Sequence, residues 1–383
     1  MKLVNKLATA VACMGLATSA LATQGVTDDE IVIGTATALS GPAAVWGVAA
    51  SQAAQIRYDM VNAEGGVHGR KIRVVLEDHQ YQVPLAVKAM NKMLNRDKIF
   101  ATVNSLGTPQ NLAVAERQFA KNVPLLFPLS AAKALQEPTH RLKFTISSSY
   151  YDQVRAAVKH FVGEGRSAVC VMHQATDMGA EMLQAATDEV ADLGLTIVAS
   201  AGHKPTDTEF VGTLTGFKGA GCDLIVLGTI IRDTIIGYAT ARKLGIAADI
   251  VVVQPGLDNI VAGYKGGITQ GLYAMGLTGA VYCDSAPATA QAFCDAYVSK
   301  YGKDPGVAGQ LGYMNADMFI EGLKNAGKDL TVDSLIAGLE SITNHQEVFG
   351  TVTQSYSADN HLGTRALVLS QVRDGRWVTL GNH

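Results

Sequence analysis

After its first few residues the chain has no long hydrophobic run. Past residue 22 nothing supplies the roughly 18 unbroken apolar residues that a membrane-crossing helix needs. Basic clusters are also missing, and the formal net charge is −3. Nucleic acid therefore has no electrostatic footprint to bind. Aromatics make up 6% of the residues, with only two tryptophans, so a tryptophan at a strand–helix junction needs a reason. The five cysteines show no zinc-like spacing.

The familiar catalytic signatures are absent too. There is no G-x-S-x-G and no H-E-x-x-H, and the nine histidines are scattered with no two placed to share a helix face. "GLKNAGKD" imitates a P-loop but has Asp329 where Ser or Thr would hold magnesium, and it reads as a helix stop. Asp78-His79, closing "VVLEDH", reads as a surface strand end rather than an acid–base pair. No catalytic residue, metal site or cofactor is assigned, and an enzyme is not expected.

The N-terminus sets the compartment. Lys2 and Lys6 precede the uncharged run "LATAVACMGLATSAL", and Ala20-Leu21-Ala22 makes a small-x-small cleavage site. This reads as a secretory signal peptide over 1–22, cut before Thr23, so a periplasmic mature chain is expected. Losing the two lysines takes the formal charge from −3 to −5. Export permits disulfides. Cys283 and Cys294 flank "DSAPATAQAF" and are placed to close a small loop, a pairing the sequence leaves open. Cys170, inside "AVCVM", reads as a buried free thiol.

Short runs rich in Val, Ile and Leu alternate with helix-length amphipathic runs. "EIVIGTATA", "KIRVVLED", "IFATVNS" and "PLLFPLS" set the rhythm, which restarts with "SAVCVMH", "LTIVASA", "DLIVLGT" and "DIVVVQ". This predicts an α/β protein with two doubly wound, Rossmann-like lobes. The last third predicts helices at about 287–301, 310–327 and 332–339, followed by the strand-like pieces "VFGTVTQSY", "RALVLSQVR" and "RWVTL". No Pro/Ser-rich linker separates the lobes, which favours several short crossings. Hydroxyl or small residues recur where strands end, at Ser40-Gly41-Pro42, Ser105 to Thr108, and Ser130. Ligands of parallel sheets bind beyond such ends, and helix N-termini there suit an anion.

The segments "IVIGTATALSGPAAVWG", "DMVNAEGGVHGRKIRVVLED" and "NVPLLFPLSA", in that order, closely resemble the periplasmic solute-binding proteins of the leucine/isoleucine/valine-binding family, which serve ABC importers. The resemblance implies a type I periplasmic binding fold with three hinge crossings. One lobe would comprise 23–148 plus 277–352 and the other 149–276 plus 353–383. It implies a monomer that captures a small molecule in the cleft and is read by an inner-membrane ABC permease. A sensor subunit on the same fold is the rival reading.

The resemblance also implies a site. Ser40 would reach the cleft floor and Trp46 would pack over the ligand. Gly107 and Thr108 would hold its carboxylate, and Leu129 and Ser130 would form the next loop, where Ala131 replaces the usual threonine. Tyr150 is expected to face the cleft, and Arg232 to reach it from the second lobe. Two pocket tyrosines align with Met178 and Ile230, and the acidic residue that holds an amino group aligns with Pro255, beside Gln254. Asp258 is the one carboxylate close by in sequence. An unpaired buried ammonium is costly, so a carboxylate with an apolar or aromatic body is expected before a branched-chain amino acid. The segment "GTPQN" resembles that of subfamilies associated with aromatic carboxylates.

Overall fold

The alternating runs become two parallel sheets in the computed structural model, which describes residues 23–383; the expected signal peptide lies outside the described residues. The first lobe begins with β1 (Glu30–Thr37), α1 (Ala44–Ala63), β2 (Lys71–Asp78), α2 (Val83–Lys92), β3 (Ala101–Val103), α3 (Thr108–Phe119), β4 (Leu125–Leu126) and β5 (Lys143–Phe144). Its sheet runs β2-β1-β3-β4-β5, all parallel. All of β1 after Glu30 is buried, as an apolar run covered on both faces should be.

The second lobe takes α4 (Tyr150–Gly163), β6 (Val169–Gln174), α5 (Asp177–Asp192), β7 (Ala199–His203), α6 (Val211–Gly219), β8 (Leu224–Gly228), α7 (Ile231–Lys243), β9 (Asp249–Val253), α8 (Asn259–Ala262) and β10 (Tyr273–Gly276). The chain then returns to the first lobe with α9 (Ala288–Tyr301), α10 (Gly306–Ala326), α11 (Val332–Glu340) and the two-residue strands β11 (His345–Gln346) and β12 (Thr353–Gln354). Finally β13 (Val368–Arg373) and β14 (Arg376–Asn382) add two antiparallel strands to the second sheet, whose order is β14-β13-β10-β9-β8-β6-β7.

Three crossings therefore join the lobes, at 145–149, 277–287 and 363–367. The last falls later than position 353, where the second lobe was expected to resume. Tyr356 packs on Phe127 and Phe144, and the His361 ring stacks 3.7 Å from that of Phe144. These contacts keep 353–362 with the first lobe, and "VFGTVTQSY" yields only the two residues of β12.

Helix α10 is buried almost all round and packs on α1. At Gly312 an added Cβ would lie 2.3 Å from the Ala50 carbonyl oxygen, so glycine is what lets the two backbones meet. Asn315 of α10 donates to Asn104 Oδ1 (2.6 Å) and to the Phe127 carbonyl (3.0 Å), pinning the helix beneath the ends of β3 and β4. The helix starts at Gly306 rather than near 310 because its orphan N–H groups are capped from outside. Asp304 accepts from Gly306 N–H (3.0 Å), and Asp258 of the other lobe accepts from Ala308 N–H (3.1 Å).

Cys170 is not a free thiol. It is bonded to Cys222, with the Cα atoms 5.9 Å apart. Parallel pairing of β6 with β8 sets Val169 beside Leu224 and so brings the cysteine just before β8 to the one inside β6. Cys283 and Cys294 are also bonded, tying the second crossing to α9.

Candidate functional site

In the first sheet the strand order reverses between β1 and β3, and in the second between β6 and β8. The loops leaving such strands diverge and open a crevice at their carboxyl ends. The two crevices face each other across a narrow cavity. The first lobe contributes Ala43 and Trp46 after β1, Tyr81 after β2, Leu106 to Thr108 after β3, and Leu129 after β4. The second contributes Tyr150 at the start of α4, Met178 after β6, Ile230 after β8, and Gln254 and Pro255 after β9.

One end of the cavity is polar. Gly107 has φ +99°, a region open to glycine, and turns the chain into α3, whose positive end opens at Thr108. Thr108 Oγ1 and Ser130 Oγ lie 2.7 Å apart, both buried. Burial pushes the Tyr150 phenol up to about 12, with the neighbouring Ala131 backbone and Ser130 hydroxyl opposing, so it stays neutral. The opposite wall is apolar, made by Met178, Ile230 and Pro255. Trp46 closes the space between, and its indole N–H donates to the Pro255 carbonyl across the cleft (2.9 Å). Gln153 holds that loop by accepting from Gln254 N–H (3.0 Å).

Eight of the eleven residues expected at the site line this cavity, and Ser130 stands one hydrogen bond behind it. Two do not. Ser40 is exposed and donates to Asp78 Oδ2 (2.7 Å), fastening the loop after β1 to the end of β2. Arg232 is used up within its own lobe, on Asp233 (2.7 Å) and on the carbonyls of Pro205 and Asp207. Both corrections have one cause: a neighbouring carboxylate, distant or adjacent in sequence, captures the polar head. Tyr151 also turns outward, donating to Asp188 (2.7 Å).

Tyr81 was missed. It follows a strand just as Thr108 does, so extending the strand-end rule to β2 finds it. His79, read as a surface residue, is fully buried, and desolvation holds its imidazole below the usual histidine range.

Among the described residues, no charged side chain lines the cavity. Asp258 is buried elsewhere, capping α8 through Ile260 N–H (3.1 Å) and α10 through Ala308 N–H. Asp233 accepts from Gln174 (2.7 Å) as well as Arg232. An ammonium ion in the cavity would meet no carboxylate. A carboxylate at the α3 end would meet hydroxyls and a helix N-terminus.

Residues 30–376 match the family model described as periplasmic binding protein. A leucine-, isoleucine-, valine-, threonine- and alanine-binding protein of Pseudomonas aeruginosa is 22% identical over 85% of this chain and 84% of its own length. Two further relatives align over 56% and 55% of their own lengths. The fold is shared with a branched-chain amino acid ABC transporter protein of Thermus thermophilus with bound valine (TM-score 0.84, 18% identity, 92% of this chain and 96% of that one). It is shared equally with an ABC-transporter solute-binding protein of R. palustris in complex with benzoate (TM-score 0.81, 18% identity, 92% and 96%).

Proposed function

This chain belongs to the periplasmic binding protein family, and on that premise we propose that it captures a small organic acid with an aromatic or branched apolar body for an ABC importer. The observation that carries this reading is the cavity wall: hydroxyls and a helix N-terminus at one end, apolar side chains at the other, and no carboxylate. The benzoate-bound neighbour shows that the fold accommodates an aromatic acid, as the valine-bound one shows for an amino acid. The action is binding with hinge closure across the three crossings and no covalent step; ligand touching both lobes favours the closed form. A permease in the inner membrane then reads that form, and the protein works as a monomer in the periplasm.

Refolded, ligand-stripped protein should be screened by thermal shift against two panels, benzoate-like and branched carboxylates in one and leucine, isoleucine and valine in the other. A ligand at 100 times its dissociation constant stabilises by about 2.7 kcal/mol, a visible shift. The shift is expected with the first panel. A response to leucine or valine alone would overturn the assignment.

Closure also carries a pH signature. Glu181 of α5 accepts from Lys133 N–H of the first lobe and from Tyr151 N–H (3.0 Å each), and burial pushes its carboxyl up to about 7. Lys133 and Asp152 are the charges that face it. Burial likewise takes Asp258 to about 6. Parting the lobes hydrates both groups, returning them toward about 4. The closed form thus holds these protons more tightly. Its advantage is complete below the open-state value and is lost as pH rises through 6 and 7. Affinity should fall by up to about tenfold per unit from about pH 4 to 7 for Glu181 and from about pH 4 to 6 for Asp258, and level off above pH 7. In titration calorimetry over that range, Glu181→Gln should flatten the profile; an unchanged profile would refute the assignment.

A further inference from the structure

Gln80 and Tyr81, adjacent and neither of them glycine, both have left-handed backbones, with φ +54° and +61°. Such conformations persist only where the surroundings impose them, and they gather at functional sites. Here every link is tied. Asp78 Oδ1 accepts from Gln80 N–H (2.8 Å), and His79 Nδ1 accepts from Tyr81 N–H (3.0 Å). Gln110, in the first turn of α3, donates to the Tyr81 carbonyl (2.8 Å). His79 Nε2 lies 3.0 Å from the Leu106 carbonyl oxygen. A carbonyl only accepts and an amide N–H only donates, so the imidazole is neutral with its proton on Nε2. His79 thereby joins two loops of the cavity wall, the one carrying Tyr81 and the one carrying Leu106 and Gly107.

The strained turn delivers a phenol to the cavity. Its ring lies against Gly107, where an added Cβ would sit 3.2 Å from Tyr81 Cε2. Its hydroxyl is close enough to Tyr150 and Asp233, both of the second lobe, for each to act on it. Among the described residues it makes no hydrogen bond, although Thr108, Ser130 and the Trp46 N–H are all engaged. A neutral donor and acceptor facing the cleft without a partner discriminates ligands strongly. One that supplies the missing hydrogen bond is favoured over its isostere that cannot.

We propose that Tyr81 is a specificity-determining residue that hydrogen-bonds a second, uncharged polar substituent on the bound acid, and that His79 is the residue that positions it. The inference deepens the ligand class proposed above and rests on it: the preferred acids carry a hydroxyl or oxo group besides the carboxylate. Tyr81 reads that group while the α3 end holds the carboxylate.

The test uses matched pairs on the full mature protein: benzoate and 4-hydroxybenzoate, isovalerate and 2-hydroxyisovalerate, valine and threonine. In titration calorimetry the wild type should favour the hydroxylated member of at least one pair by tenfold or more. Tyr81→Phe should bring that ratio to within about threefold of unity. His79→Gln should weaken discrimination similarly, with unfolding midpoints confirming that both variants fold. Protonating His79 puts a hydrogen on Nδ1 against the Tyr81 N–H. Wild-type discrimination should therefore decline as the imidazole charges at low pH, with Asp78 the one charged group acting on it. A purely structural histidine would alter stability without that decline. A ratio retained in Tyr81→Phe overturns the Tyr81 assignment and leaves the acid-binding reading intact. If only valine or threonine binds, the acid reading fails and Tyr81 is judged on that pair. If nothing binds, both fall.

Discussion

Replacing Trp46 by alanine should lower ligand affinity by about 100-fold, roughly 2.7 kcal/mol. The indole has two tasks in the structure. Its face walls the cavity between the polar and apolar ends, and its N–H donates across the cleft to the Pro255 carbonyl. Truncation removes aromatic contact worth on the order of 2 kcal/mol. It also leaves a buried carbonyl unpaired in the closed form, at about 1 kcal/mol or more. Trp46→Phe keeps the ring and loses only the bond, so its loss should stay near tenfold. Titration calorimetry with the strongest binder from the acid panel separates the two variants. Equal affinities for Trp46→Ala and the wild type would remove the indole from the site. Trp46 is also part of the first lobe's buried core, so the unfolding midpoint of the empty protein must be compared alongside.

Removing the Cys170–Cys222 bond should lower stability by roughly 4 kcal/mol, from the loop entropy of a cross-link spanning 52 residues. Both cysteines are buried, in β6 and just before its neighbour β8 in the second sheet, so a Cys170→Ala, Cys222→Ala protein also loses packing. The Cys283–Cys294 link closes only 11 residues and should contribute roughly 3 kcal/mol on the same account. Urea unfolding of oxidised, reduced and doubly substituted protein measures each. Non-reducing peptide mapping checks the pairing directly. Free thiols at 170 and 222 in protein exported to the periplasm would refute it.

Much of the fold was legible because burial on both faces writes itself into sequence locally. "EIVIGTATA", "DLIVLGT" and "DIVVVQ" could hardly be anything but covered parallel strands, and each is one. The strand-end rule by itself reached Thr108, which lines the cavity, and Ser130, which stands behind it. The resemblance to a known family added Trp46, Leu129, Met178, Ile230 and Pro255.

What failed did so for want of a partner. Arg232 was aimed at the cleft on position alone, and Asp233 with the carbonyls of Pro205 and Asp207 holds it back. Ser40 belongs to Asp78, Cys170 to Cys222, and the start of α10 to a carboxylate on the opposite lobe. Tyr81 enters the cavity only because a buried histidine and a glutamine from another loop hold its backbone in a conformation no local rule would predict.

By itself the sequence determined the order of strands and helices, the two-lobed α/β architecture and the absence of recognisable catalytic chemistry, because periodicity and strand-end residues are properties of contiguous chain. Only the tertiary structure decided which polar groups face the cavity. A side chain's direction depends on what captures its polar head, and those captors lie on other strands, other loops and, for Trp46 and Asp258, the other lobe.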